Sequence, residues 1–451
     1  MPGRPQHDGA GAVRRAPARW RRVWCPRGCL FYDPAVTPLS EPPTGTVRMN
    51  SSPAVRHHVL AGALGLVLLA ATSALPYVHF TAHGGGGDVA LYERYARELL
   101  DGRIPYHDFF FEYPPLALVA LVIPKATGLD YGLSLRLEMW AFFAVTLIVT
   151  LQTLRHIGAD ALRLFGAAVL IGCSPAMLGP IVFERFDAWP AALLSVSLAL
   201  LAAGRWSGGS ATLALAICTK LYPVVVAPIA LVRVFASSGR RATIRAATAG
   251  VIAGAVVMLP FAAIGFGGLG SSYYEQFKRP LQLESTGAAV LLALDRLGLY
   301  DTTVQSGLSK DIAGNAASVV ALASTAVQLT AIALAAWWFW RGPRSTTSML
   351  TASTAAVVAF VAFGKVLSPQ YVIWIVPLVP LVTRKVWVPA MALTVAAAGL
   401  TGLYFPLHYS GIRLVTDWVW VLLARDLVLV ALSLLLLASL RSEAQRQLPR
   451  G

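Results

Sequence analysis

His58–Val78, HVLAGALGLVLLAATSALPYV, carries no charged residue after its leading histidine. An uninterrupted apolar stretch of this length crosses a bilayer core of about 30 Å as one helix. The segment that follows reverses its character. Gly84–Pro115, GGGGDVALYERYARELLDGRIPYHDFFFEYPP, gathers six acids (Asp88, Glu93, Glu98, Asp101, Asp108, Glu112) against Arg94, Arg97 and Arg103, a balance of −3. A membrane helix handing over to an acidic loop sets the class as integral membrane protein, and it asks why so many carboxylates stand there.

Working outward, the whole chain of 451 residues is 56% hydrophobic and 13% charged, too apolar for a soluble domain of ordinary usage. Runs such as LEMWAFFAVTLIVTLQTL (137–154), ALRLFGAAVLIGCSPAMLGPIV (161–182), ATAGVIAGAVVMLPFAAIGF (247–266), SVVALASTAVQLTAIALAAWWFW (318–340) and LVLVALSLLLLASL (427–440) recur along it. Counted by length, there are about ten to twelve membrane segments. The expected fold class is an all-α polytopic membrane bundle with an amphipathic helix in the first loop.

The net charge of +15 acquires meaning from its distribution. Residues 1–58 hold nine Arg against three acids, a balance of +6, and the loops Arg233–Arg245, Arg341–Arg344 and Arg384–Lys385 and the tail after Arg441 are also basic. Cytoplasmic loops concentrate Lys and Arg, so these segments are expected inside and the acidic loop outside, in a plasma membrane. A second outer loop, Gly267–Asn315, is long, Gly-rich and mixed in charge.

Three regions follow: a basic cytoplasmic N-terminus (1–58), a membrane domain (59–440) and a cytoplasmic tail (441–451). The first fifty residues are rich in Arg, Pro and Gly without periodicity and are expected to be disordered, with Met49 as an alternative start. The first span has no small-residue cleavage site and is expected to be retained. Cys173 and Cys218 lie in apolar runs, and Cys25 and Cys29 lack a second ligand pair, so neither a disulfide framework nor a zinc site is expected. No repeat of solenoid length and no mirrored pair of broken helices is present.

Within the acidic loop, DVALYERYARELLDG places Val89, Tyr92, Ala96, Leu99 and Leu100 at helical spacing, with Glu93/Arg97 and Arg94/Glu98 as i,i+4 pairs. This predicts an amphipathic helix lying along the membrane surface and stopped by Gly102 at the C′ position. Tyr113-Pro-Pro then enforces extended backbone before the next helix. Asp88 has no partner at helical spacing. It reads either as a helix cap or as a carboxylate held at the mouth of a cavity.

Taken together, DVALYERYARELLDGRIPYHDFFFEYPPL (88–116), CTKLYPVVVAPIALV (218–232) and KVLSPQYVIWIVPLV (365–379) resemble the glycosyltransferase 87 family of the GT-C superfamily, polyprenyl-phosphate-mannose-dependent transferases and relatives. The resemblance extends over most of the chain from Val59 onward. It implies a catalytic base at Asp88, in a D-x-x-x-Y setting matched by Asp88 and Tyr92 and followed by Gly102, Tyr106 and Tyr113–Pro115; its K-x-x-P element falls on Lys220 and Pro223. Some mannosyltransferases of the family carry a His pair in the segment matching SPQYVIW, where this chain has Tyr371 and Trp374.

Elementary chemistry agrees with what the resemblance implies. A lipid-phosphate sugar donor needs a base for the acceptor hydroxyl, cations for the departing phosphate and an apolar groove, and no nucleotide fold. GGGG is not followed by GK[ST], and no GxGxxG opens a βαβ unit. Ionisable residues within apolar runs usually line a cavity. Lys220, Lys365 and Arg185 are the candidates for the donor phosphate, each with a plainer reading as a snorkelling or turn residue. Tyr92, Glu112, Tyr113, Asp187, Gln370, Tyr371 and Trp374 are candidates for a sugar and lipid groove. Glu184, Arg185 and Asp187 in FERFD form either a cavity cluster or a simple turn; His83 is expected in solvent; Arg425 and Asp426 are an internal pair or a span boundary. No His and acid cluster has ligand spacing, so no metal and no cofactor is expected.

Two topologies compete. If every apolar run crosses, FERFD and Arg155–Arg163 fall on the wrong sides for their charge. If instead Pro114–Pro124 is a half-span and Lys220–Pro223 turns at the outer side between two short helices, FERFD and Lys220 face out and the basic loops face in. The second is preferred. The expected activity is inverting transfer of a sugar, mannose first, from a polyprenyl phosphate to a lipid-linked or envelope glycan on the outer face, without nucleic-acid partners. The alternatives are pentosyl (arabinofuranosyl) transfer and a lipid-linked-glycan flippase without bond chemistry.

Overall fold

The computed structural model describes residues 53–80, 87–306 and 309–447. The expected disorder of the first fifty residues, Met49, the Cys25/Cys29 pair, His83, Gly84–Gly86 and the end of the tail lie outside the described residues. Among the described residues, seven helical stretches are long and apolar enough to cross a membrane. They are α1 (Pro53–Phe80), α4 (Tyr131–His156), α5 (Ala161–Leu178), α9 (Ala227–Lys278), α11 (Asn315–Arg341), α14 (Arg384–Tyr404) and α16 (Trp418–Gln445). Around them run α2 (Gly87–Leu100), α3 (Ala117–Ala126), α6 (Ile181–Glu184), α7 (Ala188–Ala202), α8 (Trp206–Thr219), α10 (Thr286–Arg296), α12 (Thr346–Ala362), α13 (Val372–Ile375) and α15 (Tyr409–Arg413). The all-α polytopic class is what the hydropathy dictates, and α1 and α16 reach past Val59 and Leu440 because helix continues into the polar flanks.

Side-chain ties fix which helix ends lie together. At one end His156 Nε2 meets Ala202 O at 3.1 Å, Arg384 pairs with Asp160 at 2.7 Å, and Trp206 Nε1 donates to Ser238 Oγ at 2.9 Å. Ser348 donates to Glu443 there at 2.9 Å. At the other end Leu116 N donates to Cys218 O at 2.9 Å, Arg136 pairs with Glu184 at 2.8 Å, and Thr286 donates to Ala362 O at 2.6 Å. Thus α4, α7, α8, α12, α14 and α16 each have one end in each layer. In α9 the backbone breaks at Gly239 (φ 72°) and Gly265 (φ −131°), which divides it into a descending limb, a returning limb and a last segment whose Ser272 donates to Phe111 O at 2.7 Å.

By contrast α3 stays at one end. Its start is tied to Cys218 and its Lys125 pairs with Glu93 of α2 at 2.8 Å; ten residues rise only about 15 Å. This is the half-span of the second topology, and it puts Arg155–Arg163 with the other basic loops. The short crossings are possible because protein surrounds them. Thr346–Ala362 buries nearly every residue, and its Ser, Thr and Ala side chains allow close packing. Pro369–Leu381 is an irregular succession of short turns around α13, buried throughout much of its length. Non-helical backbone is tolerated at membrane depth only inside protein.

The loop Gly267–Asn315 is folded. Strands β1 (Leu281–Gln282), β2 (Thr303–Ser306) and β3 (Lys310–Ala313) form an antiparallel sheet in the order β1-β3-β2. With α10 it covers a small apolar core that includes Leu292, Ile312, Tyr404 and Ile412.

The α2 helix ends as its sequence predicts. Gly102 takes φ 84°, Gly102 N bonds Leu99 O and Arg103 N bonds Glu98 O at 3.0 Å, the pair of bonds that closes a Schellman motif. Its stripe, however, faces protein. Tyr92, Tyr95 and Ala96 are buried, while Leu100 is 54% exposed. Glu93 pairs with Arg97 at 3.4 Å, but Glu98 turns to Arg103 rather than to Arg94, since the chain folds back after Gly102.

Candidate active site

At the end of the bundle that carries α2, four segments distant in sequence meet. Gly87 opens α2 and leaves Asp88 in its first turn, where the helix dipole favours a carboxylate. Its Oδ2 lies 2.8 Å from Arg185 Nε, so Asp88 engages a tertiary partner instead of serving only as a cap. Arg185 is available because α6 stops at Glu184 and the chain turns extended at Arg185 (φ −123°, ψ 139°). Glu184 turns away to Arg136, so FERFD splits its charges among three partners.

Asp187, just ahead of α7, is fully buried, and its Oδ1 accepts from Lys220 Nζ and from Trp374 Nε1, each at 2.7 Å. Lys220 leaves the end of α8 in extended backbone (φ −156°, ψ 142°). Its ammonium lies 4.7 Å from the ring centre of Phe186, 5.3 Å from Trp374 and 5.8 Å from Tyr371, a cage that favours a cation. Trp374 is stacked between Tyr222 at 3.9 Å and Tyr371 at 4.0 Å. Tyr92 and Tyr113 meet Phe186 edge-on at 5.6 Å and 4.8 Å. Burial, and then the Asp88 charge, push the Tyr92 phenol well above its ordinary range, and burial does the same to Tyr113. Both stay neutral, as hydrogen-bonding walls.

The result is an aromatic-walled site holding two cation–carboxylate pairs, Asp88/Arg185 and Asp187/Lys220. A sequence profile described as glycosyltransferase family 87 matches residues 110–369, more than half of the chain.

The chain belongs to glycosyltransferase family 87.

The matched interval contains Glu112, Tyr113, Arg185, Asp187, Lys220 and Lys365 of this family 87 protein; Asp88 precedes it, and Gln370, Tyr371 and Trp374 follow it. Among solved structures, the chain is similar to the crystal structure of ArnT from Cupriavidus metallidurans bound to undecaprenyl phosphate. The two are 16% identical with a TM-score of 0.44, over 87% of this chain and 77% of that one. No curated protein matches it significantly.

The remaining sequence candidates of the family 87 protein take varied places. Glu112 holds Gln276 Nε2 through its carbonyl at 3.1 Å, and its carboxylate acts electrostatically on Tyr113 and Tyr371. Gln370 is half-buried in the turn Pro369–Tyr371. Lys365 joins neither ion pair, and its Nζ donates to Phe277 O at 2.8 Å. Among the described residues no group of three or more His, Cys, Asp or Glu is placed to hold a metal ion.

Residues that sequence reasoning missed include Phe186, which sits between Arg185 and Asp187 and touches Tyr92, Tyr113 and Lys220, and Tyr222, two residues after Lys220. Both stand inside motifs already singled out, so alternation around the charges was the available signal. Glu284 was hidden in the mixed-charge loop. It is buried, accepts from Tyr404 OH at 3.1 Å, and its carbonyl takes Arg425 Nη2 at 3.0 Å. Arg425 and Asp426 are an internal pair at 2.9 Å with no exposure.

Burial pushes the Glu284 carboxyl from 4.5 up to about 8, with Arg425 and Tyr404 opposing. The folded protein therefore holds a proton that the unfolded chain releases. Its contribution to stability is complete below 4.5 and is lost as pH rises to about 8. The expected result is a thermal midpoint in detergent that falls across this interval in the wild type. Glu284→Gln, which keeps an acceptor for Tyr404, flattens the slope. Equal slopes in the two proteins rule Glu284 out as the titrating group.

Proposed function

We propose that this glycosyltransferase transfers a sugar, mannose first, from a polyprenyl phosphate to a lipid-linked or cell-envelope glycan, with inversion, at the outer face of the plasma membrane. The observation that carries the reading is the convergence of Asp88, Arg185, Asp187 and Lys220 in one aromatic-walled site at the end of the bundle. Asp88 is the base. It accepts the acceptor hydroxyl proton as that oxygen attacks the anomeric carbon, the bond from that carbon to the phosphate oxygen breaks, and the electron pair leaves on the phosphate. A single carboxylate acting through direct attack gives inversion; retention would call for a nucleophilic group close to it.

Lys220, Lys365 and Arg185 supply positive charge for the departing phosphate. These cations can do the work of charge neutralisation, so the proposal includes no metal and no cofactor. Tyr92, Tyr113, Tyr371 and Trp374 offer flat faces for the sugar and the prenyl chain. The opposite end of the bundle carries Arg240, Arg241, Arg344, Arg384 and Lys385, and the charge rule assigns that end to the cytoplasm.

The test is incubation of purified protein with polyprenyl-phosphate mannose, and separately with polyprenyl-phosphate arabinofuranose, in the presence of membrane glycolipid. Proton NMR then gives the anomeric configuration of the product. Mannose transfer with inversion supports the reading, and arabinofuranose transfer alone shifts it to the pentosyl alternative. Movement of intact glycolipid between leaflets without consumption of either donor supports the flippase.

A further inference from the structure

The cations of the site divide into two kinds. Arg185 and Lys220 each already hold a protein carboxylate. Lys365 and Arg279 hold none: among the described residues neither forms an ion pair, and Arg279 Nε is buried without a hydrogen-bond partner. The segments that carry them are tied together on either side of Arg279. Lys365 Nζ donates to Phe277 O at 2.8 Å, Gln282 N donates to Lys365 O at 2.9 Å, and Gln282 Nε2 donates to Ser368 Oγ at 2.9 Å. Arg279 lies in the chain between Phe277 and Gln282, the two residues bonded to Lys365. Pro280 ends α9 and forces Arg279 into extended backbone (φ −49°, ψ 133°), directed out of the helix.

The two charges sense one another. Burial, and then Arg279, hold the Lys365 ammonium below its ordinary range. Arg279 also acts on Tyr371, whose other neighbours are Trp374 and Lys220. Two cations that act on one another, neither of them in an ion pair, beside the aromatic Tyr371, are unfavourable unless an anion joins them. We propose that Arg279 and Lys365 form the anchoring site for the phosphate of the lipid donor, leaving Arg185 and Lys220 bound to Asp88 and Asp187 in the ground state. This rests on the reading of the protein as a polyprenyl-phosphate-dependent transferase, and it adds Arg279, which sequence reasoning passed over.

The phosphate group is the shared chemistry of a lipid donor and of free phosphate, so the test separates them. Tryptophan fluorescence of the full chain in detergent is titrated with decaprenyl phosphate, decaprenol and inorganic phosphate. The expected result is saturable binding of decaprenyl phosphate by wild type and none of decaprenol. Arg279→Gln and Lys365→Gln raise its dissociation constant about ten- to a hundredfold, the range for a lost charge-assisted hydrogen bond. Arg279→Lys restores part of the affinity, and Lys385→Gln, at the opposite end, leaves it unchanged.

Unchanged affinity in both Gln variants, provided they are folded by thermal melt, overturns the proposal, as does loss only on changing Arg185. Inorganic phosphate binding as tightly as the lipid overturns the assignment to a lipid donor. Wild type that binds decaprenyl phosphate through Arg279 yet transfers no sugar upholds the site while the transferase mechanism falls. Wild type that transfers sugar equally well with Arg279→Gln upholds the mechanism while the site falls.

Discussion

Asp88→Asn is expected to abolish sugar transfer, lowering the rate about 10²- to 10⁴-fold, the loss typical of removing a general base. Asparagine has the shape of aspartate and keeps an oxygen for Arg185, but it does not take a proton. Its structural effect is small by comparison. The Asp88 side chain is 37% exposed, and a partly solvated ion pair contributes at most about 1 kcal/mol. Rate and stability therefore separate. The measurement is single-turnover transfer from polyprenyl-phosphate mannose alongside a thermal melt of the same preparation. A large fall in turnover at an unchanged midpoint assigns the base. Equal turnover in both proteins means that Asp88 only positions Arg185, and the base must be sought among Glu112 and Asp187.

The largest effect on stability belongs to Asp187. Its carboxylate is fully buried and serves both Lys220 and Trp374. Asp187→Ala strands a buried ammonium and an indole N–H together. Breaking a buried pair from one side costs about 3–5 kcal/mol, because the remaining charge loses its compensation. The expected outcome is a sharply lowered thermal midpoint in detergent for Asp187→Ala and for Lys220→Met. The double variant Asp187→Asn/Lys220→Met, which removes both charges and keeps an oxygen for Trp374, should recover a good part of the loss. The non-additivity of this cycle measures the coupling. If the single variants melt like the wild type, water reaches the pair and Lys220 is free to exchange Asp187 for substrate.

Some of this site could be read from local sequence. The α2 helix and its Gly102 stop follow from apolar spacing and one glycine; Asp88 has no partner at helical spacing, which left a cap or a cavity carboxylate open, and the resemblance to family 87 pointed to the base. Lys220 was conspicuous as a charge within LALAICTKLYPVVV, and FERFD as a cluster of charges between apolar runs. For Lys220 and FERFD the signal is a charge set against an apolar background, which any window of the sequence displays. Arg279 and Glu284 gave no such signal. They stand in a loop of mixed charge, where an arginine before a proline looks like many solvated ones, and only the folded structure, with Tyr404 and Arg425 on Glu284 and a buried Nε on Arg279, shows that they are enclosed.

By itself the sequence determined the membrane class, the helical architecture, the basic and acidic balance of the chain's loops, and the charges Asp88, Arg185, Asp187 and Lys220 as candidates for the site. These are properties of neighbouring residues, set by transfer of apolar side chains into lipid and by backbone geometry over a few turns. Tertiary structure decided which charges are paired. Asp88 finds Arg185, and Asp187 finds Lys220 and Trp374, across separations that no local pattern encodes. It also decided that α3 turns back while the short α7, α8 and α12 run between the two ends. Hydropathy measures how a segment partitions into lipid, whereas these helices are enclosed by protein, so their course depends on neighbours that only the folded bundle supplies.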